Sequence, residues 1–326
     1  MAEGGDVLLV GIDEAGYGPV LGPLVVSAVA LRAPADRAEE CLWKALRKSV
    51  SASPQSRRGR LGITDSKKLY QRAEGLAALE RAALAALHLA DHSPTDLAGL
   101  LRAAAGTEMA AQFAAYPWYR DANPALPLAA DAGAIRVAAA TLRRDAAAND
   151  RFPAGVWVEP LPEGHFNRLV DQTRNKAVVS LGLVLRLIQR ASDAHPGLPL
   201  HVFVDRQGGR AHYRAALMRA FEGCAMQVVE EGDEISRYRM RTPSGEWRIG
   251  FFTQGESRHL LVAWASIVSK YLRELFMHCF NEYWRGQEPS LIPTAGYHTD
   301  GHRFLRDAEP CIARLGIDRA MLVRSR

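Results

Sequence analysis

Four acidic residues stand where apolar segments end or begin, at positions where carboxylates could do chemistry. Asp13 and Glu14 close an apolar run that starts at residue 6, and Asp205 closes a second run, PLHVFVD. Glu256 precedes a long apolar pattern. A carboxylate buried beside a core is unfavourable unless it is paired or binds a cation. If the four acids converge, their oxygen atoms would suit a hard cation such as magnesium or manganese, and two-metal phosphodiester chemistry.

An ordinary structural explanation is available for each of these acids. Asp13, Glu14 and Asp205 could be exposed at strand ends or could cap the helices that follow. Glu256 could stabilise a helix N-terminus through the helix dipole. The chain has 36 acidic residues, so some fall at such positions by chance. Spacing alone therefore leaves the metal site and the structural explanation both open.

The elements that would position these acids form an α/β pattern. The continuous apolar run over 6–12 predicts a fully buried strand, and LVVSAVAL predicts a second strand antiparallel to it. Residues 199–205 predict another strand, and 238–252 predict a hairpin with TPSG as its turn. The broad apolar face of 257–280 predicts a long helix. Strands that alternate with helices indicate a sheet covered by helices.

Helices are also predicted over 36–48, from Gln71 to about Leu89, and over 166–191. Residues 90–160 are rich in alanine and punctuated by proline, and we expect them to form an inserted subdomain of helices and loops. The last 45 residues predict a loop followed by a short helix. We expect one domain over 1–326, with the insertion at about 90–160 and a C-terminal helical extension at about 285–326.

Composition limits the class of protein but does not identify a partner. A hydrophobic fraction of 48% and a charged fraction of 24% exclude collagen-like and disordered chains. The net charge is +5, and 35 of the 41 basic residues are arginines, which permits a polyanionic partner. The four cysteines form no CxxC pair, so neither a disulfide framework nor a zinc ribbon is expected. Without a signal peptide or a long apolar run, we expect a soluble cytoplasmic protein.

Five motifs in order resemble those of the type 2 ribonucleases H, the bacterial ribonuclease HII and HIII group. They fall within residues 6–90 and 164–305, about two-thirds of the chain. In chain order they are GIDEAGYGPVLGPLVV (11–26), DSKKL (65–69), FVDRQGG (203–209), FFTQGESRHLLVAWASIVSKYL (251–272) and GYHTDGH (296–302).

This resemblance implies an RNase H-like fold, with a mixed central sheet flanked by helices. It implies a hydrolase that cleaves the RNA strand of RNA–DNA hybrids and leaves 5′-phosphate and 3′-hydroxyl ends. The four catalytic and metal-binding acids carry over onto Asp13, Glu14, Asp205 and Glu256, with two divalent cations, Mg²⁺ or Mn²⁺. We expect a monomer that acts in DNA replication and repair. The alternative is a nucleic-acid-binding module of the same fold with lost or altered cleavage.

The same motifs carry residues that the resemblance implies in nucleic-acid binding. Arg210, beside the third motif, is a further candidate because a nucleic-acid backbone would pass there. The residues carried over from the motifs are Gly16, Tyr17, Gly18, Ser66, Lys67, Lys68, Arg206, Lys270 and Tyr297.

The chain departs from the family pattern in the loop over 16–18. The family has GRG, or GKG in the HIII type, and this chain has GYG with Tyr17 in the middle. The cation is therefore lost, which puts recognition of a single embedded ribonucleotide in doubt. Glu256 and FNRLVDQTRNKAV at 166–178 resemble the HIII type. The apolar run that leads into the first motif starts at residue 6, so the N-terminal substrate-binding domain of ribonuclease HIII is expected to be missing.

Overall fold

A sheet of seven strands forms the centre of the part of the chain that the computed structural model describes, residues 5–54, 59–70, 75–207 and 210–325. Residues 55–58, the predicted start of the helix at 71–74, and the glycines at 208–209 lie outside the described residues. The strands are β1 (Asp6–Ala15), β2 (Leu24–Pro34), β3 (Val50–Ser51), β4 (Leu61–Gly62), β5 (Phe152–Leu161), β6 (Leu200–Asp205), β7 (Ala225–Glu231), β8 (Ile235–Thr242) and β9 (Gly245–Phe252).

The main sheet is mixed, with the order β5-β2-β1-β6-β9-β8-β7. β1 is antiparallel to β2 and parallel to β6, and β6 is parallel to β9. β5 pairs with β2, and β8 pairs with both β7 and β9, in each case antiparallel. The short strands β3 and β4 pair with each other. The three central strands β1, β6 and β9 therefore run in the same direction, so their carboxyl ends lie at one edge.

Helices cover both faces of the main sheet. None of those in the described ranges is long and apolar enough to cross a membrane. They are α1 (Leu42–Ala45), α2 (Ser66–Tyr70), α3 (Gly75–Leu89), α4 (Leu97–Ala104), α5 (Thr107–Phe113), α6 (Pro117–Arg120), α7 (Ala132–Ala147), α8 (Glu163–Thr173), α9 (Lys176–Ala194), α10 (Arg214–Ala220), α11 (Gly255–Arg258), α12 (Leu260–Gln287), α13 (His298–Leu315) and α14 (Arg319–Leu322), with a 3₁₀ turn at Ala35–Arg37.

The side chains of β1 point alternately into two cores, which explains why its sequence is a continuous apolar run. Val7 and Leu9 face one core, which contains α3, α7, α12 and α13. Leu8, Val10 and Ile12 face the other core, which contains α8, α9 and α10. Successive side chains of a strand point to opposite faces, so a strand between two helical layers needs apolar residues at every position. The prediction of a buried central strand in a mixed, helix-flanked sheet is confirmed.

The helices of the predicted insertion are attached to the rest of the protein through a buried carboxylate, Glu80 on α3. Its oxygens accept hydrogen bonds from the backbone N–H groups of Leu128, Ala129 and Ala130, each at 2.6 Å, and from the Tyr271 hydroxyl at 2.7 Å. A buried carboxylate with several donors is stabilised in the core. The segment before α7 is therefore fixed to both α3 and α12.

The predicted range of the insertion, 90–160, is too long at its C-terminal end. The helical region ends with α7, and β5 is an edge strand of the main sheet that pairs with β2. Pro153 and Pro160 lie in β5, although the sequence predicts a loop there. Proline is tolerated on an edge strand because one side of that strand has no ladder hydrogen bonds to lose.

Three helix predictions need correction. The helix expected over 166–191 is two helices, because Arg174 adopts a left-handed conformation (φ 54°) and the Asn175 side chain caps α9. Only the four residues of α1 within 36–48 are α-helical, after a 3₁₀ turn. The C-terminal helix is not short, since α13 has 18 residues. Periodicity alone does not locate such breaks, which depend on local backbone conformation and capping.

A glycine in β1 allows the backbone of α12 to lie directly against the sheet. A Cβ atom at Gly11 would be 2.2 Å from the carbonyl carbon of Leu261 and 2.4 Å from the nitrogen of Val262. Both are backbone atoms and cannot move aside as a flexible side chain can. This approach sets how α12 packs on β1, two residues before Asp13.

We expect Gly11→Ala to lower the free energy of unfolding by at least about 2 kcal/mol, because an added methyl group would overpack this contact. The matched control is Gly182→Ala in α9, where an added Cβ meets nothing within 4 Å. That change should raise stability by about 0.5–1 kcal/mol through helix propensity. Denaturant unfolding measures both. Equal effects of the two substitutions would contradict the close approach at Gly11.

Candidate active site

The strand register brings three of the predicted acids to one edge of the sheet. The parallel pairing of β1 with β6 ends at Ile12 and Val204, and Asp13 and Asp205 are the next residues of the two strands, close enough for Asp13 to raise the pKa of Asp205. The last residue of β9 pairs with Asp205, and the chain then turns into α11, which carries Glu256. Ligand sites in α/β sheets are usually found outside the carboxyl ends of parallel strands.

Asp13 is held from the backbone and from α12. Its side chain is 7% exposed, and its Oδ1 accepts a hydrogen bond from the N–H of Glu14 at 2.7 Å. The Ser269 hydroxyl donates to the Asp13 carbonyl oxygen at 2.9 Å, and the nearby Ser266 hydroxyl lowers the pKa of the Asp13 carboxyl group. The packing of α12 on β1 therefore also orients the carboxyl group of Asp13.

Glu14 has a buried partner that sequence reasoning missed. Gln207 is 1% exposed, and its Nε2 lies 3.3 Å from Oε2 of Glu14 and donates to the Ser180 hydroxyl at 2.8 Å. The sequence held one signal for this partner, because Gln207 follows the strand-end acid Asp205 by only two residues. Its amide connects Glu14 to α9.

Asp205 and Glu256 lie side by side at the end of β6. Oδ1 of Asp205 accepts a hydrogen bond from the N–H of Gly255 at 2.7 Å, and the Glu256 carboxyl group is within hydrogen-bonding reach of Asp205. A Cβ at Gly255 would come within 3.3 Å of the Asp205 Cα atom, so a residue this small lets α11 approach β6. A cavity of about 410 Å³ borders both acids and also contacts Thr253.

Burial and mutual repulsion both raise the pKa values of these carboxyl groups. Burial raises the pKa of Asp13 well above its ordinary value, and the neighbouring Glu14 raises it further. The pKa of Glu14 rises to about 7 through burial and then through Asp205. The pKa of Asp205 rises to about 8 through burial and then through Asp13. Like charges at a buried site favour protonation unless a cation neutralises them.

The donor set suits a hard divalent cation, since it consists of carboxylate oxygens. Within the described residues, no three His, Cys, Asp or Glu side chains stand close enough together to hold a metal ion in their present conformations. Oδ1 of Asp13 and Oδ1 of Asp205 face backbone N–H groups instead. The acids thus share one site and repel one another, and the side chains would have to turn to ligate an ion.

The DSKKL segment lies against the same part of α12. Asp65 caps α2 by accepting hydrogen bonds from the N–H groups of Lys67 (2.8 Å) and Lys68 (3.4 Å). Buried Ser66 shares a hydrogen bond of 3.0 Å with Ser266, which also contacts Asp13. Both lysine side chains are exposed, and the charge of Lys67 acts on Glu14. The structure thus brings exposed positive charge next to the acids.

The loop over 16–18 rests on the C-terminal segment. Gly16 has φ +88°, and a Cβ there would lie 2.6 Å from the carbonyl oxygen of Pro23. The Arg324 guanidinium donates to the carbonyl oxygens of Gly16 and Tyr17, the latter at 3.1 Å, and lies over the Phe166 ring at 4.2 Å. Gly18 is exposed. Sequence reasoning missed Arg324, since it falls in no motif.

Tyr297 presents an exposed ring above a cluster of charged side chains. It is 47% exposed, and the guanidinium of Arg273 lies 5.4 Å from its ring centre. The ammonium of Lys270 lies 5.9 Å from the Tyr297 ring and 4.8 Å from the Tyr70 ring, and pairs with Glu274 at 2.5 Å. Lys270 is buried and paired, so its contacts support the two rings rather than offer an exposed charge.

Arg206 faces the protein. Its guanidinium donates to the carbonyl oxygens of Gly232 (2.6 Å) and Asp233, and to the Ser236 hydroxyl at 2.9 Å. These bonds hold the connection between β7 and β8 beside β6. The contacts therefore do not support the expectation that Arg206 binds nucleic acid, although it directly follows Asp205.

No family model matches the chain, and no curated protein matches it. Several solved structures are similar to it. One is ribonuclease HII from Archaeoglobus fulgidus in complex with PCNA, with 17% sequence identity and a TM-score of 0.45 over 98% of this chain and 95% of that chain. A point variant of Bst-RNase HIII has 17% identity and a TM-score of 0.48 over 98% of this chain and 66% of that chain. Ribonuclease H2 from Pyrococcus horikoshii OT3 has 15% identity and a TM-score of 0.46 over 97% of this chain and 92% of that chain. A further one is Bst-RNase HIII in complex with Mn²⁺. These proteins are of the same ribonuclease group that the sequence motifs resemble.

The raised pKa values of Asp13, Glu14 and Asp205 predict how the stability of the metal-free protein depends on pH. Because the folded protein holds these protons more tightly than the unfolded chain, stability is lost as pH rises from about 4.5 to about 8. Thermal unfolding in EDTA should show a fall in melting temperature over this interval, and Asp13→Asn should make the fall shallower.

Divalent cations should oppose this loss, because they bind the ionised carboxylates of the folded protein. Mn²⁺ should therefore raise the melting temperature more at pH 8 than at pH 5. A wild-type protein with the same pH profile as Asp13→Asn, and with no response to Mn²⁺, would show that these acids do not form a cation site.

Proposed function

We propose that the protein is a metal-dependent endoribonuclease that cleaves the RNA strand of RNA–DNA hybrids. The observation that carries this proposal is the meeting of Asp13, Glu14, Asp205 and Glu256 at the carboxyl ends of three parallel strands. Clustered carboxylates beside exposed lysines suit hydrolysis of a phosphodiester. The choice of a hybrid as substrate follows from the resemblance of the five motifs to the type 2 ribonucleases H.

The four carboxylates would hold two divalent cations, Mg²⁺ or Mn²⁺. Such ions, when bound, supply Lewis acidity for the attacking water and for the leaving oxygen. The reaction adds the oxygen of water to phosphorus and breaks the bond to the 3′ oxygen, which takes up a proton. The products carry a 5′-phosphate and a 3′-hydroxyl. Before a cation binds, the Ser269 hydroxyl holds the backbone of Asp13 and the N–H of Gly255 holds the carboxyl group of Asp205.

Substrate binding falls to the residues around the acids. Exposed Lys67 and Lys68 would contact phosphates of the hybrid. The exposed ring of Tyr297 would pack on a sugar near the cleavage position. The loop over 16–18 would approach the ribonucleotide with its backbone, since the carbonyl oxygens of Gly16 and Tyr17 are turned towards Arg324.

Asp13→Asn should abolish hybrid cleavage in Mg²⁺ and leave the fold intact, because the amide keeps the shape of the carboxyl group and loses its charge. Gel analysis of a labelled hybrid measures cleavage, and circular dichroism checks the fold. Asp36→Asn is the matched control: Asp36 is exposed and lies just beyond Pro34, which pairs with the start of β1 far from the acids. Near-normal cleavage by Asp13→Asn would refute the metal-binding assignment.

Three labelled duplexes test the substrate: a full hybrid, a run of four ribonucleotides in DNA, and a single ribonucleotide in DNA. We expect cleavage of the first two, and a rate lower by about tenfold on the third, which corresponds to about 1.4 kcal/mol of lost transition-state binding. The reason is that Tyr17 lacks the guanidinium that the family loop offers to the ribonucleotide. Tyr17→Arg should narrow the difference.

Binding of all three duplexes without metal-dependent cleavage would favour the alternative, a binding module of this fold. Equal rates on the three duplexes would show that Tyr17 does not limit recognition of a single ribonucleotide.

A further inference from the structure

A lysine from another element lies over the tyrosine that replaces the expected cation. The ammonium of Lys176 is 4.9 Å from the ring centre of Tyr17, within the range of a cation–π contact. Tyr17 and Lys176 are both partly buried. The two residues are 159 positions apart in the chain, so only the packing of α9 against the loop over 16–18 brings them together.

The local structure does not explain why a lysine stands at this position. Lys176 is the first residue of α9, and a cation near a helix N-terminus is opposed by the helix dipole. Among the described residues, no ion pair or side-chain hydrogen bond involves Lys176. The N-terminus of α9 is capped by Asn175, whose side chain accepts from Ala177 at 2.9 Å. Lys176 thus contributes charge that no carboxylate in the described ranges neutralises.

A second cation approaches Tyr17 from the segment before α10. Arg210 lies close enough for its charge to act on the Tyr17 hydroxyl, and its guanidinium lies 6.0 Å from the ring centre of Tyr213. Arg210 also takes part in no ion pair within the described part of the chain. The charge of Glu14 also acts on Tyr17. Tyr17 is therefore near both Glu14 of the acidic centre and two cations, Lys176 and Arg210, that form no ion pair within the described residues.

The loop holds the ring in this place. Gly16 and Tyr17 are bonded through their carbonyl oxygens to Arg324, which is 4% exposed. The backbone N–H of Arg324 also donates to the carbonyl oxygen of Val20 at 2.9 Å. With the backbone fixed on both sides, the Tyr17 ring is a rigid support for the Lys176 ammonium.

We propose that Lys176 is a specificity-determining residue, whose ammonium over the Tyr17 ring binds the phosphate next to the ribonucleotide at the cleavage position. The Lys176 ammonium would take the place of the Arg or Lys that the family has at the position of Tyr17. Arg210 would supply a second positive charge nearby. The inference rests on the proposed function for the identity of the anion, a phosphate of the hybrid. A lysine is a point charge without the fork of arginine, so it attracts phosphate and imposes less geometry on it.

The test compares Lys176→Gln with Lys44→Gln, a matched change at an exposed lysine of α1. Binding of a full hybrid is measured in Ca²⁺ at several salt concentrations, and kcat and KM are measured in Mg²⁺. Lys176→Gln should weaken binding about tenfold and reduce the slope of log K against log salt by about 1. KM should rise while kcat stays within about twofold, since the contact is to bound substrate and not to the reacting atoms.

A relocated cation provides the rescue. Tyr17→Arg in the Lys176→Gln background should restore the affinity and the salt slope, because the charge returns from the loop itself. Tyr17→Phe alone should keep both, since the ring still supports the ammonium. The proposal would be overturned if Lys176→Gln bound the hybrid with the same affinity and the same salt slope as Lys44→Gln. It would also be overturned if Tyr17→Arg did not restore the affinity of Lys176→Gln.

Failure of this inference is distinguishable from failure of the proposed function. If the wild-type protein binds the hybrid and does not cleave it, the proposed activity fails, and the salt slope still decides the contribution of Lys176. If the wild-type protein cleaves the hybrid and Lys176→Gln binds as Lys44→Gln does, only the inference fails.

Discussion

The parallel pairing of β1 with β6, and of β6 with β9, is the constraint on which the site depends. It forces Asp13 and Asp205 to be neighbours at the edge where β9 delivers Glu256. Two or more carboxylates held together with little water are unfavourable, as the raised pKa values of Asp13 and Asp205 reflect. A fold with this register therefore needs compensating donors or a cation at this edge. The N–H groups of Glu14 and Gly255 supply part of that compensation.

The packing of α12 on the sheet connects motifs that are far apart in sequence. Gly11 lets α12 approach β1, and this contact sets Ser269 on the carbonyl oxygen of Asp13 and brings Ser266 near enough to lower the pKa of its carboxyl group. Ser266 in turn binds Ser66 of the DSKKL segment. A single helix thus orients an acid of β1 and anchors the segment that carries Lys67 and Lys68. This explains physically why these motifs occur together in one chain.

Much of the sheet and of the acid cluster could be predicted, because continuous apolar runs identify buried strands and the acids follow directly at their ends. β5 could not, since its prolines suit both a loop and an edge strand. The break between α8 and α9 depends on the backbone conformation of Arg174, which apolar periodicity does not reveal.

The partners of the site were harder to predict than the acids themselves. Gln207, Lys176 and Arg324 meet Glu14 and Tyr17 only through tertiary packing. A motif records residues that are neighbours in sequence, whereas these contacts join segments that are 159 residues or more apart. Such partners become visible only once the register and the helix packing are known.

The net charge of +5 combines basic residues that bond within the protein with others that lie near the acidic site. Many arginines are used inside the protein: Arg206, Arg273 and Arg324 donate to backbone carbonyl oxygens, and Arg151 is fully buried against Glu40. Such arginines stabilise loops and contribute little to an outward-facing field.

The cations near the acids differ from these arginines in what they face. Lys67 and Lys68 are exposed, and Lys176 and Arg210 lie over aromatic rings. Within the described part of the chain, none of the four forms an ion pair with a carboxylate. Lys67 acts on Glu14, and Arg210 acts on Tyr17 next to it, so positive charge outside the described ion pairs lies near the acidic centre. The hybrid of the proposed function would fit both parts of this arrangement, because its phosphates would meet the outer cations while the acids would hold the divalent cations that the cleavage needs. On the inference drawn above, α9 carries through Lys176 the positive charge that the loop over 16–18 lacks at Tyr17.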